Sequence, residues 1–144
     1  MPKLSCVLLV DDDPTTNFLH KLLLQQMEVA EQLLVAENGA EALHTLAQTC
    51  LQPDAAACPA LILLDINMPI MNGLAFLEAY QRLEVPLLPP PVIIVLTTSM
   101  NSPELATIRQ QPIAGLLSKP LTREKVAALL QQHFAHQKTI APPD

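Results

Sequence analysis

Basic residues are scarce: eight Lys and Arg stand against fourteen Asp and Glu, for a net charge of −6. No basic stripe is visible, which argues against nucleic acid as a direct partner. Basic protein surfaces and cations remain open to an acidic chain. Cysteine is scarce too. Cys6, Cys50 and Cys58 are too few and too irregularly spaced for a disulfide scaffold or a zinc site. Cys6 sits in an apolar run and reads as a reduced core residue, whereas Cys50 and Cys58 flank a loop and read as incidental. With three glycines, the chain has no glycine-rich phosphate loop carrying a Lys, which excludes the nucleotide-hydrolase reading of its aspartate-ended strand. No apolar run is long enough for a membrane span. The amino-terminal apolar run is short and ends in three aspartates, so no signal peptide is expected. These absences predict a reducing, cytoplasmic setting. Neither an internal repeat nor a second domain is visible.

Apolar residues, by contrast, are abundant. Half of the 144 residues are hydrophobic and 15% are charged, which provides a core for one domain and argues against disorder. Apolar runs alternate with helical spacing. "LSCVLLV" (Leu4–Val10), "QLLVA" (Gln32–Ala36), "LILLD" (Leu61–Asp65), "VIIVL" (Val92–Leu96) and "AGLLS" (Ala114–Ser118) read as strands, several without polar alternation, as buried parallel strands do. Helices are expected between them. The first is capped by Asp13, has Pro14 in its first turn, and keeps Phe18, Leu19, Leu22 and Leu23 at helical spacing. The second follows a turn at Asn38-Gly39 and runs to about Cys50. The third spans Gly73 to Arg82. The fourth starts at Ser102-Pro103 and is ended by Pro112. The fifth runs from about Thr122 to Phe134. Residues 1–136 are thus expected to form a single domain, with 137–144 as a flexible tail. Alternating strands and helices predict an α/β protein with a five-stranded parallel sheet covered on both faces.

The conspicuous polar residues all fall just past strand carboxyl ends. Asp11 and Asp12 follow the first strand, Asp65 ends the third, Thr97, Thr98 and Ser99 follow the fourth, and Lys119 follows the fifth. In an open α/β sheet that edge is where ligands bind. Each residue alone has an ordinary explanation as a cap, a turn or a solvated charge. Together, at four strand ends, they form a constellation. Asp11, Asp12 and Asp65 would crowd three carboxylates, which raises a pKa or captures a cation. An all-oxygen set of this kind suits Mg²⁺. A carboxylate can also act as a nucleophile and become an aspartyl phosphate. Phosphoryl transfer requires neutralisation and positioning of phosphoryl oxygens, which a metal, a Lys and a hydroxyl such as that of Thr97 can provide.

"LLVDDDP", "LILLDINMPIMNG", "VIIVLTTS" and "LLSKPL" together resemble the motifs of a response-regulator receiver domain, the phosphoacceptor module of two-component signalling. The resemblance covers about Leu4 to Phe134. It implies a flavodoxin-like (βα)5 three-layer sandwich with strand order 2-1-3-4-5. It further implies that Asp65 is phosphorylated, that Asp12 binds Mg²⁺ directly and Asp11 largely through water, and that Asn67 offers its backbone carbonyl. Thr97 would supply the hydroxyl, Lys119 would pair with the phosphoryl group, and the peptide before Pro120 would be cis. Asn67 and Ser99 would flank the water that ends the signal. Leu116 departs from the family, which usually has Tyr or Phe there. The segments around Gln48–Ala60 and "VPLLPPP" are longer than usual.

With no effector segment visible after Phe134, a stand-alone regulator rather than an enzyme is expected. It would receive a phosphoryl group from a histidine kinase or phosphotransfer protein and switch a surface read by a downstream protein. Apolar residues of the last helix would support weak homodimerisation, and packing on the core explains them equally well. The alternatives are a receiver-like scaffold that is never phosphorylated and a haloacid-dehalogenase-like phosphatase. The phosphatase normally has a second Asp where this chain has Asn67. A flavodoxin relative would require a phosphate loop where this chain has aspartates.

Overall fold

In the computed structural model, which describes residues 3–50, 58–83, 90–101 and 103–140, five strands alternate with five helices. The elements are β1 (Leu4–Val10), α1 (Pro14–Gln26), β2 (Ala30–Ala36), α2 (Gly39–Cys50), β3 (Leu61–Asp65), α3 (Gly73–Gln81), β4 (Val92–Thr97), α4 (Glu104–Arg109), β5 (Gly115–Ser118) and α5 (Arg123–Ile140). All strand pairs are parallel and the order is β2-β1-β3-β4-β5, the flavodoxin-like arrangement.

The absence of polar alternation in β1, β3 and β4 has a direct cause: both sheet faces are covered. Leu8, Val10, Ile62, Leu64, Ile93 and Val95 face one layer, where they meet Leu46 of α2, Phe76 of α3 and Ile108 of α4. Their strand neighbours Val7, Leu9, Leu61, Leu63, Ile94 and Leu96 face the other, against Leu24 of α1 and Val126 and Leu129 of α5. Each such side chain removed from water contributes about 1.5–3 kcal/mol.

The boundaries depart from the sequence reading where tertiary contacts decide them. β2 starts two residues early because Ala30 pairs with Leu4 of β1. α4 is shorter than expected. Gln110 and Gln111 donate to the carbonyls of Thr107 and Ile108, three residues back, so the chain tightens into a turn just before Pro112. Ser102, the expected start of α4, lies outside the described residues, and Pro103 offers no side-chain cap. α5 continues past Phe134 to Ile140, since no proline interrupts it before Pro142.

α1 turns an unexpected face inward. Asn17, His20 and Leu24 are buried, whereas Phe18, Leu19 and Leu22 are 65%, 55% and 40% exposed. The cap fixes this rotation. Asp13 accepts from the Thr15 amide at 3.1 Å and from the Thr16 hydroxyl at 2.7 Å, which also draws its carboxyl below the usual range. Asn17 then donates to the Asp11 carbonyl at 2.8 Å.

The cysteines correct the sequence reading. Cys50 and Cys58 form a disulfide. Irregular spacing hid it, because the pairing depends on the end of α2 meeting the approach to β3, with a Cα–Cα separation of 4.5 Å. Cys6 is the buried free thiol expected, and burial pushes its pKa up to about 11.

Candidate functional site

Four strand ends bring the site together. β1 delivers Asp11, whose amide stays on the ladder by donating to the Ala36 carbonyl at 3.0 Å. Asp12 follows, exposed, and the Asp13 amide donates to Asp11 Oδ1 at 3.0 Å. β3 delivers Asp65, opposite Leu96 of β4. A Cβ on Gly73 would lie 2.6 Å from the Asp65 carbonyl oxygen, so only glycine lets α3 begin this close to the acid. β5 delivers Lys119, whose amide donates to the Thr97 carbonyl at 2.7 Å. The Lys119–Pro120 peptide is cis, as the resemblance implied.

Ligand atoms of Asp11, Asp12 and Asp65 lie within 4.8 Å of one another. Lys119 Nζ donates to Asp11 Oδ2 at 2.7 Å and to Asp65 Oδ1 at 3.1 Å. One ammonium thus serves two largely buried carboxylates, and a third waits beside them. The Asp65 carboxyl is raised above the usual range by burial and then by the Asp11 charge, with Lys119 opposing. Burial alone would lower Lys119. Its hydrogen bond to Asp11 and the charges of Asp65 and Asp11 outweigh burial and hold it above the ordinary lysine value. The two shifts describe one imbalance, a single cation shared between two largely buried acids.

Thr97 is buried at the end of β4, and its hydroxyl exchanges hydrogen bonds with the Ser99 backbone, each at 3.1 Å. Thr98 is exposed. Asn67 is exposed in the loop after β3. Leu116 packs against the core beneath α4, in place of the usual aromatic.

Several supporting residues were not singled out from the sequence. Asn17 ties α1 to Asp11 and is buried, with its Oδ1 lacking a partner. Its signal was polarity on a helix face that otherwise enters the core. Lys125 donates to the Ser118 carbonyl at 2.7 Å and the Pro120 carbonyl at 3.0 Å, holding the turn that carries Lys119. Met71 donates to the Pro69 carbonyl at 2.7 Å, closing a γ-turn around Ile70 at φ 68°. Met71 in turn accepts from the Gly39 amide at 2.8 Å, which joins the loop after Asp65 to the start of α2.

The match to the family model for the response regulator receiver domain covers residues 7–131. The chain belongs to that family. It is 32% identical over 130 residues to transcription factor SKN7 of Chaetomium thermophilum, a match covering 90% of this chain and 15% of that protein. It therefore spans a small part of that relative's length. A two-component response regulator from Cytophaga hutchinsonii superposes with TM-score 0.79 at 25% identity, covering 91% of this chain and 97% of that one. The receiver domain of the sensor histidine kinase PA1611 from Pseudomonas aeruginosa shares the fold with TM-score 0.72 at 19% identity, covering 90% and 96%. That structure has magnesium coordinated in its active-site cleft.

Proposed function

We propose that this receiver accepts a phosphoryl group on Asp65 from a phosphohistidine of a histidine kinase or phosphotransfer protein, with Mg²⁺ bound. The observation that carries this reading is the convergence of Asp11, Asp12 and Asp65 within 4.8 Å of one another, with Lys119 bridging two of them. The donor set fits the ion: three carboxylates and no soft ligand, with more negative charge than one ammonium balances. Asp11, Asp12, Asp65 and the Asn67 carbonyl would hold the metal. Bound there, it neutralises charge that develops on the phosphoryl oxygens.

The chain's own groups account for the rest. A carboxylate oxygen of Asp65 attacks phosphorus in line, and the phosphorus–nitrogen bond of the donor breaks with its electron pair returning to the imidazole. Lys119 moves from the carboxylates to the phosphoryl group. The Thr97 hydroxyl, now turned toward the Ser99 carbonyl, swings to donate to a phosphoryl oxygen. That movement draws on the loop after β4 and biases the α4–β5–α5 face, a shift in population between two states. With Leu116 at the aromatic position, the shift runs through the loop rather than a ring flip. Asn67 and Ser99 flank the approach of the hydrolytic water.

The docking face is apolar around its acidic centre. Phe18 and Leu19 of α1, Ile70 in the loop after β3 (86% exposed) and Met100 after β4 are all solvent-exposed. A cavity of about 460 Å³ is lined by Leu19, His20, Thr98 and Lys119. Burial, and then the Lys119 charge, hold the His20 pKa below the usual histidine value. The phosphodonor would seat here, and a downstream protein would read the α4–β5–α5 face. Residues 1–136 act as the single receiver unit, working in the cytoplasm, although α5 itself runs past that bound to Ile140. Among the described residues no helix is long and apolar enough to cross a membrane.

The reading is tested by incubating wild type and Asp65→Asn with Mg²⁺ and a small acyl phosphate, then measuring intact mass at low pH. Wild type gains one phosphoryl group and the variant none. Equal uptake by both removes Asp65 from this role.

A further inference from the structure

Away from the acidic cluster, at the other end of α2, lies a second reactive pair. Cys50 is the last residue of α2, and Cys58 stands two residues before Ala60. The Ala60 amide donates to the Cys6 carbonyl at 2.9 Å, and its carbonyl accepts from Val92 at 2.9 Å. The approach to β3 is therefore fixed on both sides. Cys50 and Cys58 are each half-buried, within reach of solvent, and the fold holds their Cα atoms 4.5 Å apart. The third cysteine is the opposite case: Cys6 is 0% exposed within β1.

We propose that Cys50 and Cys58 are a redox-modification site, a thiol pair that closes and opens by exchange with a small disulfide of the glutathione class. A thiolate of one cysteine attacks the small disulfide, forming a mixed disulfide and expelling one small thiolate. The second cysteine's thiolate attacks the protein sulfur of that mixed disulfide, forming the Cys50–Cys58 bond and expelling the second. Two electrons pass to the small disulfide, and the two thiol protons end on the two small thiols. A reducing pool reverses the sequence. Such pools keep most cytosolic thiols reduced, so a disulfide there marks a responsive state. That regulatory meaning rests on the cytoplasmic placement proposed above, whereas the exchange chemistry does not. Closure anchors α2 at both ends, since Gly39 at its start already donates to Met71 in the loop after Asp65.

The test is a titration of the native full chain across buffers from fully reduced to fully oxidised glutathione, quenched by alkylation and read by intact mass. A single transition is expected between a doubly alkylated form and a bridged form, with Cys6 unlabelled until the protein is unfolded. Cys50→Ser and Cys58→Ser should each replace the bridge by one mixed disulfide. Amide exchange in the last turn of α2 should be slower in the bridged form. A pair that stays bridged in every buffer would show a permanent staple and overturn the proposal, as would one that never bridges. Identical α2 exchange in both forms would overturn the anchoring. Phosphoryl uptake at Asp65 is read separately, so failure of either reading leaves the other standing.

Discussion

Replacing Asp65 by Asn should stabilise the protein at neutral pH while abolishing its chemistry. The magnitude follows from the cluster. The Asp11 carboxylate, no more than 4.8 Å from Asp65, repels it by at least about 3.5 kcal/mol at an effective dielectric of 20, and the exposed Asp12 is screened by water. The Lys119 ammonium at 3.1 Å returns about 5.4 kcal/mol on the same scale. These two pair terms alone favour the charged form by about 2 kcal/mol, and burial of the charge, the first cause of the raised carboxyl, outweighs them. Each 1 kcal/mol of net penalty removed raises the Tm of a domain of this size by about 2–4 °C. The raised Asp65 carboxyl fixes the sign of the pH dependence. Its folded-state pKa lies above the unfolded one, so the penalty is absent below the unfolded value and grows as pH rises through the folded value. The Asn variant's advantage should therefore be present at pH 7 and vanish below about pH 3.5. Thermal and urea denaturation with a divalent-ion chelator, at both pH values, would measure it. A variant less stable than wild type at pH 7 would refute the reasoning, because the Lys119 pairing would then outweigh burial and the Asp11 repulsion.

Other perturbations have equally definite outcomes. Lys119→Met should cost about 3–5 kcal/mol by urea denaturation without divalent ions, since it leaves two buried carboxylates unpaired. Saturating Mg²⁺ should recover part of that loss. The raised Lys119 ammonium should keep its contribution below the ordinary lysine value and lose it as pH climbs through the higher folded value, visible as a difference between wild type and Lys119→Met above about pH 10. Gly73→Ala puts a methyl 2.6 Å from the Asp65 carbonyl and 2.9 Å from Ile66 Cα, both backbone atoms, and should cost about 1–3 kcal/mol while slowing phosphoryl uptake. Ile70→Gly should stabilise by about 1 kcal/mol, because Ile70 holds φ 68° and is 86% exposed with little packing to lose. Reducing the Cys50–Cys58 bond, with its sequence separation of 8, should lower stability by about 2.5 kcal/mol on loop-closure grounds.

The fold and the acidic cluster were legible for the same reason. β1, β3 and β4 carry uninterrupted apolar residues because both sheet faces are covered, so their ends are marked sharply by the first polar residue. Those polar residues, Asp11, Asp65 and Thr97, are the ones that reach the edge. What stayed hidden depends on contacts between distant segments. Nothing in the spacing of Cys50 and Cys58 says that the end of α2 meets the approach to β3. Helical spacing marked Phe18, Leu19 and Leu22 as one stripe of α1, but not that it would face outward. The hydrogen bond from Asn17 to Asp11 turns the polar face of that helix toward the sheet. The extent of α5 was underestimated because its sequence turns polar after Phe134, although nothing there breaks a helix.

The central claim is that the crowded carboxylate of Asp65 is itself the phosphoryl acceptor. The most direct measurement treats the phosphorylated protein with borohydride, which reduces an acyl phosphate to an alcohol and leaves a permanent mark. Peptide mass spectrometry then locates that mark. Homoserine at position 65 alone, formed only when Mg²⁺ is present, is the predicted result. A mark at Asp11 or Asp12, or phosphorylation that borohydride does not remove, would contradict the account.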